Sequence, residues 1–141
     1  MTEFSIPAGK VYLSPMIDCF DGMVTTWTIS TSQNAELVNL MLDKVIDNLS
    51  EEEHPIIHSD RGCHYRWPGW IKGYSPDNSA CEGFFGRLKN EMFYKRNCNS
   101  ISINKFMDIV NNYIEWYNNK RIKQSLGYKS PVEYRKELGL I

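Results

Sequence analysis

The sequence lacks an uncharged apolar run long enough to cross a membrane. A transmembrane helix needs about 18 consecutive apolar residues, and no segment of the 141 residues approaches that length. Residues 1–5 also lack the basic and then apolar pattern of a secretory signal. The sequence therefore predicts a chain that has no membrane partner and is not exported.

Clustered cysteine and histidine ligands are lacking too. The four cysteines stand 44, 18 and 17 residues apart, with no Cys-x-x-Cys pair, and the three histidines form no His-x-His pair. This spacing argues against a zinc site. We expect the cysteines to be reduced packing residues and the histidines to be hydrogen-bonded bystanders. They are Cys19, Cys63, Cys81 and Cys98, and His54, His58 and His64.

The length and composition that remain fit one globular domain or a piece of one. A chain of 141 residues with 42% hydrophobic residues and 18 aromatic side chains can bury a single core. We find no internal repeat and no low-complexity segment that would divide it.

Charge is divided unevenly along the chain, although the formal net charge is only −1. Residues 1–82 hold 5 Lys or Arg and 12 Asp or Glu, net −7, whereas residues 83–141 hold 11 and 5, net +6. A basic half favours a polyanion partner. The alternative is that the two halves differ only in the composition of their solvated surfaces.

Two strands and a helix are predicted in the first 50 residues. Segments 11–17 and 23–29 are rich in β-branched and aromatic residues, and the Asp21-Gly22 pair between them predicts a hairpin. Thr31 and Ser32 are candidate helix caps. Apolar residues then recur every three or four positions, which predicts an amphipathic helix of about four turns. They are Leu37, Leu40, Met41, Val45 and Leu49.

A short apolar run at residues 55–58 predicts a buried central strand that ends near Asp60. Ligand sites in open α/β folds collect at the carboxyl ends of strands, so Asp60 is a candidate site residue. The alternative is a simple turn, because an Asp close to Gly62 is also typical of turns. Together these elements predict a mixed α/β sheet.

A helix is predicted from Ser79 to about Phe93. Its apolar stripe follows helical spacing and consists of Cys81, Phe84, Phe85, Leu88 and Met92. Glu82 falls off this stripe. Ser79 and Glu82 fit a capping box, in which the Glu side chain reaches back to the cap N–H. On the residues alone we favour that role for Glu82.

The C-terminal part is predicted to be helical and basic. A long helix from 102 to about 119 carries an apolar face for the core or for a partner, which consists of Ile103, Phe106, Met107, Val110, Tyr113, Ile114 and Tyr117. Residues 120–129 form a basic segment that includes Tyr128, which suits phosphate contacts. The sequence Ser-Pro-Val-Glu at 130–133 then predicts a capped last helix that ends at Gly139.

Three phrases of the sequence occur in the order found in a known family. They are the strand-end Asp60, the segment 75–89 (SPDNSACEGFFGRLK), and the ending Tyr117-Asn118…Arg121…Leu126-Gly127-Tyr128…Ser130-Pro131. Over essentially its whole length the chain resembles the catalytic domain of bacterial insertion-sequence transposases, and more narrowly the insertion-sequence three family. The resemblance implies an RNase H-like fold, similar to the retroviral integrase core, that cuts a transposon end and joins its 3′-hydroxyl to target DNA.

In that family two Asp and one Glu hold divalent cations. Clustered carboxylates suit Mg²⁺ or Mn²⁺, which activate the attacking oxygen and neutralise the leaving one. Asp60 matches the second carboxylate and Glu82 the third, so the resemblance implies that both are catalytic and metal-binding. A carboxylate tied to its own helix cap would be a poor ligand, and we therefore attribute Glu82 to catalytic ancestry.

Lys89 matches a basic residue that family members place against the DNA end. It lies seven residues after Glu82, close to two turns along the same helix face. We also assign DNA contacts to Arg87, Lys120, Arg121 and Lys123. The resemblance implies DNA as the partner, a homo-oligomer or an upstream transposase subunit, and a cytoplasmic, nucleoid-associated location in a bacterium.

The sequence departs from the family pattern at its start. The family's first Asp lies on a strand, just before the Thr2-Glu3-Phe4 phrase, so its position precedes Met1. Glu3 would be a poor substitute, because its offset points it to the opposite face of that strand. Asp18 matches a recurrent acidic position of the family that is not one of the three ligands.

A second departure is internal. Only 21 residues separate Asp60 from Glu82, where the family places about 35. The shortfall follows residues 65–71, so we expect the fold to lack its first strand and an internal strand and helix segment. Residues 1–93 would form the incomplete RNase H-like catalytic core and residues 94–141 its helical, basic part. We expect a transposase core that is inactive alone. The alternatives are a non-catalytic DNA-binding remnant and a helical protein-interaction module.

Overall fold

An antiparallel sheet with helices on both faces forms the centre of the computed structural model, which describes residues 1–53, 55–58 and 79–141. The strands are β1 (Thr2–Ile6), β2 (Gly9–Ile17) and β3 (Val24–Ser30), in the order β1-β2-β3. Helix α1 (Ala35–Asp47) lies on one face, and helices α2 (Ser79–Leu88) and α3 (Ile103–Asn119) lie on the other. The predicted α/β class is confirmed in outline, and the described sheet is antiparallel.

Strand β1 begins at Thr2, although the fold was expected to lack its first strand. Phe4 and Ile6 point into the protein and Glu3 points outward, so the side chains alternate as in a half-buried strand. The strand pairs with β2 along its whole length. Glu3 lies on the outer face, as expected, where its carboxylate is 2.9 Å from the Lys10 ammonium. Strand structure is therefore present at the start of this chain.

The predicted hairpin between β2 and β3 is confirmed. The two strands pair antiparallel around a turn at residues 18–22. The Gly22 amide donates to the Asp18 carbonyl, and Gly22 has a φ of 71°, a left-handed conformation that favours glycine. The Asp21 carboxylate accepts a hydrogen bond of 2.8 Å from the Met23 amide, which fixes the exit from the turn.

Helix α1 begins later than its pattern predicts. Its cap is Asn34, whose side chain accepts from the Leu37 amide at 3.1 Å, so the cap predicted at 31–32 is wrong. Leu37 is buried as predicted, but Val38 is buried and Leu40 is exposed. Both Val38 and Leu40 fit a spacing of three or four residues, and only packing against the sheet decides between them.

The buried strand predicted at residues 55–58 is wrong. This run has no strand structure, and Ile56 is 82% exposed. Two isoleucines in four residues carry no periodicity that separates a strand from a loop, and a strand also needs a partner for its backbone. Asp60, which was expected at the end of this strand, lies outside the described residues.

Helix α2 continues into a π-helix (Lys89–Phe93), so the predicted helix is present in two parts. The π-turn is closed by the Tyr94 amide, which donates to the Lys89 carbonyl at 2.8 Å. The side chains of Phe84, Leu88 and Met92 are buried, as their spacing predicts. The start of α2 adjoins residues outside the described ranges, so the capping box of Ser79 and Glu82 stays a prediction.

The C-terminal helices follow their predicted patterns. Helix α3 starts after the cap Ser102, and most of its predicted apolar face is buried. Helix α4 (Pro131–Glu137) has the predicted capping box between Ser130 and Glu133, with both hydrogen bonds present. A short 3₁₀ turn (Gln124–Leu126) lies in the basic segment between α3 and α4.

One hydrophobic core joins the sheet to α2 and α3. Its fully buried side chains include Phe4, Val11, Leu13, Phe84, Phe106, Val110, Ile114 and Tyr117. On the opposite face of the sheet, the Thr28 hydroxyl donates to the Leu37 carbonyl at 2.6 Å and ties β3 to α1. Within the described ranges, no helix has the combination of length and apolar character that spanning a bilayer requires.

Candidate active site and nucleic-acid interface

The Glu82 side chain is exposed in the first turn of α2. Within the described part of the chain, no hydrogen bond and no ion pair engages its carboxylate. Lys89 follows at the junction of α2 and the π-helix. Glu82 is therefore solvent-exposed among the described residues, and its catalytic role stays a prediction.

A complete metal site is not formed by the described residues alone. They contain no group of three or more His, Cys, Asp or Glu side chains that could hold an ion, and Asp60 is not among them. Cys19 and Cys98 are free thiols; Cys98 is buried and Cys19 is exposed. Of the two predicted metal ligands, only Glu82 is described.

Asp18 and Asp21 lie in the hairpin turn, and Arg135 of α4 binds both. Its Nη2 donates to Asp18 Oδ2 and its Nε to Asp21 Oδ2, each at 2.6 Å. The Asp21 side chain is fully buried, and its carboxylate, followed by that of Asp18, raises the pKa of Arg135. These two carboxylates therefore fasten α4 to the hairpin.

Arg121 forms a two-pronged ion pair with Glu91 of the π-helix. Its Nη2 donates to Glu91 Oε1 at 2.6 Å and its Nε to Oε2 at 2.9 Å, while the Tyr113 hydroxyl donates to Oε2 at 2.7 Å. The Arg121 hydrogen bonds chiefly lower the pKa of Glu91. Burial and the bond to Glu91 raise the pKa of Tyr113. Arg121 thus joins the end of α3 to the helix that carries Glu82, and its DNA contact stays a prediction.

Lys123 is also engaged by the protein. Its ammonium donates to the carbonyls of Asp21 at 2.9 Å and Gly22 at 3.1 Å, and lies 4.7 Å from the centre of the Tyr117 ring. The Arg121 guanidinium lies 5.7 Å from the same ring. Since carbonyls and an aromatic ring carry no net charge, Lys123 still contributes positive potential to this surface.

Lys89, Arg87 and Lys120 form no ion pair with a carboxylate of the described residues. Lys89 lies 5.9 Å from the centre of the Phe4 ring. The Arg87 Nε is buried and has no hydrogen-bond partner in those residues. Lys120 is exposed just after α3. Of these three predicted DNA contacts, Lys120 is exposed and Lys89 and Arg87 are half-buried.

Several polar side chains that assemble this region carry no signal in a single sequence. The Asn118 amide donates to the Val24 carbonyl at 2.8 Å, and its oxygen accepts from the Val24 amide at 3.0 Å. The two residues are 94 positions apart. Glu91 and Arg135 look like solvated helix residues when read by charge alone. The one sequence signal for Asn118 and Arg121 is that both belong to the C-terminal ending that resembles the transposase family.

Comparison with known families decides where the chain belongs. Residues 1–82 match a family described as Integrase core domain, and residues 82–138 match a second family of the same description. The first match alone covers more than half of the chain. This chain belongs to the integrase core domain family. The family confirms the predicted fold class in outline, and the expected missing segment remains a prediction.

Relatives of this integrase core carry transposase names. It is 54% identical to a probable transposase for insertion sequence element IS1353 from Shigella flexneri, over 100% of this chain and 30% of the relative. It is 37% identical to InsK of element IS150 from Escherichia coli K12, over 97% and 53%. It is 34% identical to an uncharacterized transposase-like protein of Haemophilus influenzae, over 96% and 68%. The resemblance to insertion-sequence transposases is confirmed. No solved structure matches the chain.

Proposed function

We propose that this integrase core acts on DNA in transposition, as a copy of the strand-transfer domain that does not complete strand transfer by itself. The observation that carries the proposal is the short interval between Asp60 and Glu82 in a chain that otherwise belongs to the family throughout. DNA would be the substrate, in the bacterial cytoplasm and at the nucleoid.

The proposed chemistry assigns Asp60 and Glu82 to a divalent cation. Carboxylate oxygens select Mg²⁺ or Mn²⁺. Such ions supply activation of the attacking oxygen and neutralisation of the leaving oxygen of a phosphodiester. The exposed Glu82 carboxylate, unpaired within the described ranges, supports this assignment for one of the two ligands.

The lengths of chain and relative support an internal deletion. The interval of 21 residues between Asp60 and Glu82 is about 14 shorter than the family's interval of about 35. The alignment with the IS1353 relative runs over 155 positions and covers all 141 residues of this chain, so 14 positions have no counterpart here. The shortfall in the Asp60–Glu82 interval and the number of unmatched positions agree, which favours one deletion between the two carboxylates. Because catalytic groups tolerate a displacement of only about 1 Å, Glu82 would then miss the metal.

The proposed DNA contacts rest first on Lys89, Arg87 and Lys120, whose charges are not paired within the described residues. Arg121 and Lys123 are weaker candidates for DNA contacts, because their side chains already bind Glu91 and the hairpin carbonyls. In this proposal residues 1–93 are the catalytic part of the core and residues 94–141 its basic part. The chain spans 30% of the IS1353 relative, so a second copy or an upstream transposase subunit would complete the assembly.

A strand-transfer assay tests the proposed function. The purified chain is given Mg²⁺ or Mn²⁺ and a labelled duplex from an end of the IS1353 element, with the IS1353 relative as positive control. We expect the chain to bind this duplex and to form no joined product. Joined product that disappears in Glu82→Gln would show that the core is active. Failure to bind duplex DNA at low salt would contradict the role in DNA transactions.

A further inference from the structure

The C-terminal ending shared with the family contains one side chain that the fold does not use. The other residues of that ending have structural roles: Tyr117, Leu126 and Pro131 are buried, Asn118 pairs with the Val24 backbone, Arg121 binds Glu91, Gly127 has a φ of 65°, and Ser130 caps α4. Tyr128, in contrast, is 66% exposed. Its ring contacts no other aromatic ring in the described ranges. Packing therefore does not explain the tyrosine.

The backbone of Tyr128 adds to this anomaly. Its φ is 61°, and no other non-glycine residue in the described ranges has a positive φ. The left-handed region is unfavourable for a residue with a Cβ, and Gly or Asn would fit it better. Strained residues of this kind persist where the surrounding structure holds them, and they cluster at functional sites.

The surrounding segment holds Tyr128 rigidly in this position. The Lys123 amide donates to the Lys129 carbonyl, and the Tyr128 amide donates to the Lys123 carbonyl, both at 3.0 Å. Leu126 is buried beneath the turn. The Lys123 side chain reaches the hairpin carbonyls described above, and α4 starts directly after the segment. The ring is thus presented on a pre-ordered support, which lowers the entropic cost of binding.

The charge around the ring indicates the ligand. Residues 120–129 contain four basic residues and no acidic residue. Arg121 is paired with Glu91 and Lys129 with Glu137, whereas Lys120 and Lys123 keep charges that no described carboxylate pairs with. An exposed aromatic ring among positive charges suits a nucleotide, because the ring stacks on a base while the cations attract phosphate. Bases inside a duplex are already stacked on each other, so the ring fits a base that is unpaired.

We infer that Tyr128 is a stacking site for an unpaired base of the DNA substrate, adjacent to the phosphate contacts of the basic segment. The inference rests on the proposed role in DNA transactions and names the form of DNA that this surface takes. Unpaired nucleotides occur at cut ends, which suits a protein that handles a transposon end.

Binding measurements on two DNA substrates test the inference. One is a short blunt duplex, and the other is the same duplex with an unpaired 2-aminopurine nucleotide at its 3′ end. We expect tighter binding of the overhang and a fall in 2-aminopurine emission on binding. Tyr128→Phe keeps both effects. Tyr128→Asn, which fits the left-handed backbone, weakens overhang binding about tenfold and leaves blunt-duplex binding unchanged. Ile122→Ala, at another exposed position of the segment, leaves both affinities unchanged.

The outcomes separate this inference from the proposed function. Binding of the blunt duplex without preference for the overhang overturns the stacking site alone, and so does Tyr128→Asn if it weakens both substrates equally. An unchanged melting temperature shows that Tyr128→Asn is folded. Failure of the unmodified chain to bind either DNA overturns both proposals and leaves a protein partner as the occupant of this surface.

Discussion

Glu91 is the residue that ties the helix carrying Glu82 to the end of α3. Its carboxylate accepts two hydrogen bonds from Arg121 at 2.9 Å or less and a third of 2.7 Å from the Tyr113 hydroxyl. The side chain is one-third exposed, so solvent screens part of the interaction. We expect Glu91→Gln to lower the free energy of unfolding by about 1 to 2 kcal/mol at neutral pH.

The pH dependence of this effect has a defined sign. Arg121 lowers the pKa of Glu91 from its ordinary value of 4.5. The stabilisation is therefore complete above about pH 4.5 and is lost as the pH falls through the lower folded-state pKa. Urea unfolding at several pH values should show the gap between the unmodified chain and Glu91→Gln closing in acid. Glu115→Gln, at an exposed position of α3, is the matched control. A gap that stays constant with pH would contradict this account.

Side chains buried by local periodicity could be predicted at the residue scale, and those held by distant polar partners could not. Phe84, Leu88 and Met92 follow from helical spacing alone. Asn118 lies on α3 but bonds to the backbone of Val24, the first residue of β3. Arg121, read by its charge, suits phosphate as well as it suits Glu91. A single sequence does not say which partner a charged side chain meets after folding.

Arg135 decides how α4 is attached to the sheet. It binds Asp18 and Asp21 together, and the Asp21 side chain has no exposure to solvent. Removing the guanidinium leaves the buried Asp21 carboxylate without its ion-pair partner. We expect Arg135→Ala to lower the free energy of unfolding by about 3 kcal/mol. Lys136→Ala, at the exposed neighbouring position, should change it by about 0.5 kcal/mol or less. Chemical denaturation of the three proteins measures both values, and equal losses in the two variants would show that Arg135 is not the anchor.

The hairpin and α4 could be predicted almost to the residue, whereas the cap of α1 could not. The hairpin follows from Asp21-Gly22, and α4 from its capping box. Neither strand β1 nor the run at 55–58 is marked by a cap or turn residue. The first strand was expected to be absent, and the strand expected at 55–58 is wrong. Each is short, and whether a short segment becomes a strand depends on the partner it meets, which the local sequence does not contain.

At the scale of the whole molecule, folding brings residues of the acidic half of the sequence into contact with residues of the basic half. Arg135 of the basic half forms ion pairs with Asp18 and Asp21 of the acidic half, whereas the ion pair of Arg121 with Glu91 lies within the basic half. The net charge of +6 in residues 83–141 therefore overstates the charge that is free to meet DNA. Of the five proposed DNA contacts, Lys89, Arg87, Lys120 and Lys123 have no ion-pair partner in the described ranges, and the Lys123 ammonium is held by backbone carbonyls.

The salt dependence of DNA binding measures how many charges are in fact available. Three phosphate contacts give a slope of about −2.7 for the logarithm of affinity against the logarithm of salt concentration. Affinity for a blunt duplex should then fall about 40-fold between 50 and 200 mM salt. Lys120→Ala should reduce the slope by about 0.9 without loss of stability. Arg121→Ala should leave the slope nearly unchanged and destabilise the fold, because its charge is already paired. Fluorescence anisotropy and urea unfolding separate the two effects. Equal changes of slope in the two variants would mean that Arg121 leaves Glu91 for the phosphate when DNA binds.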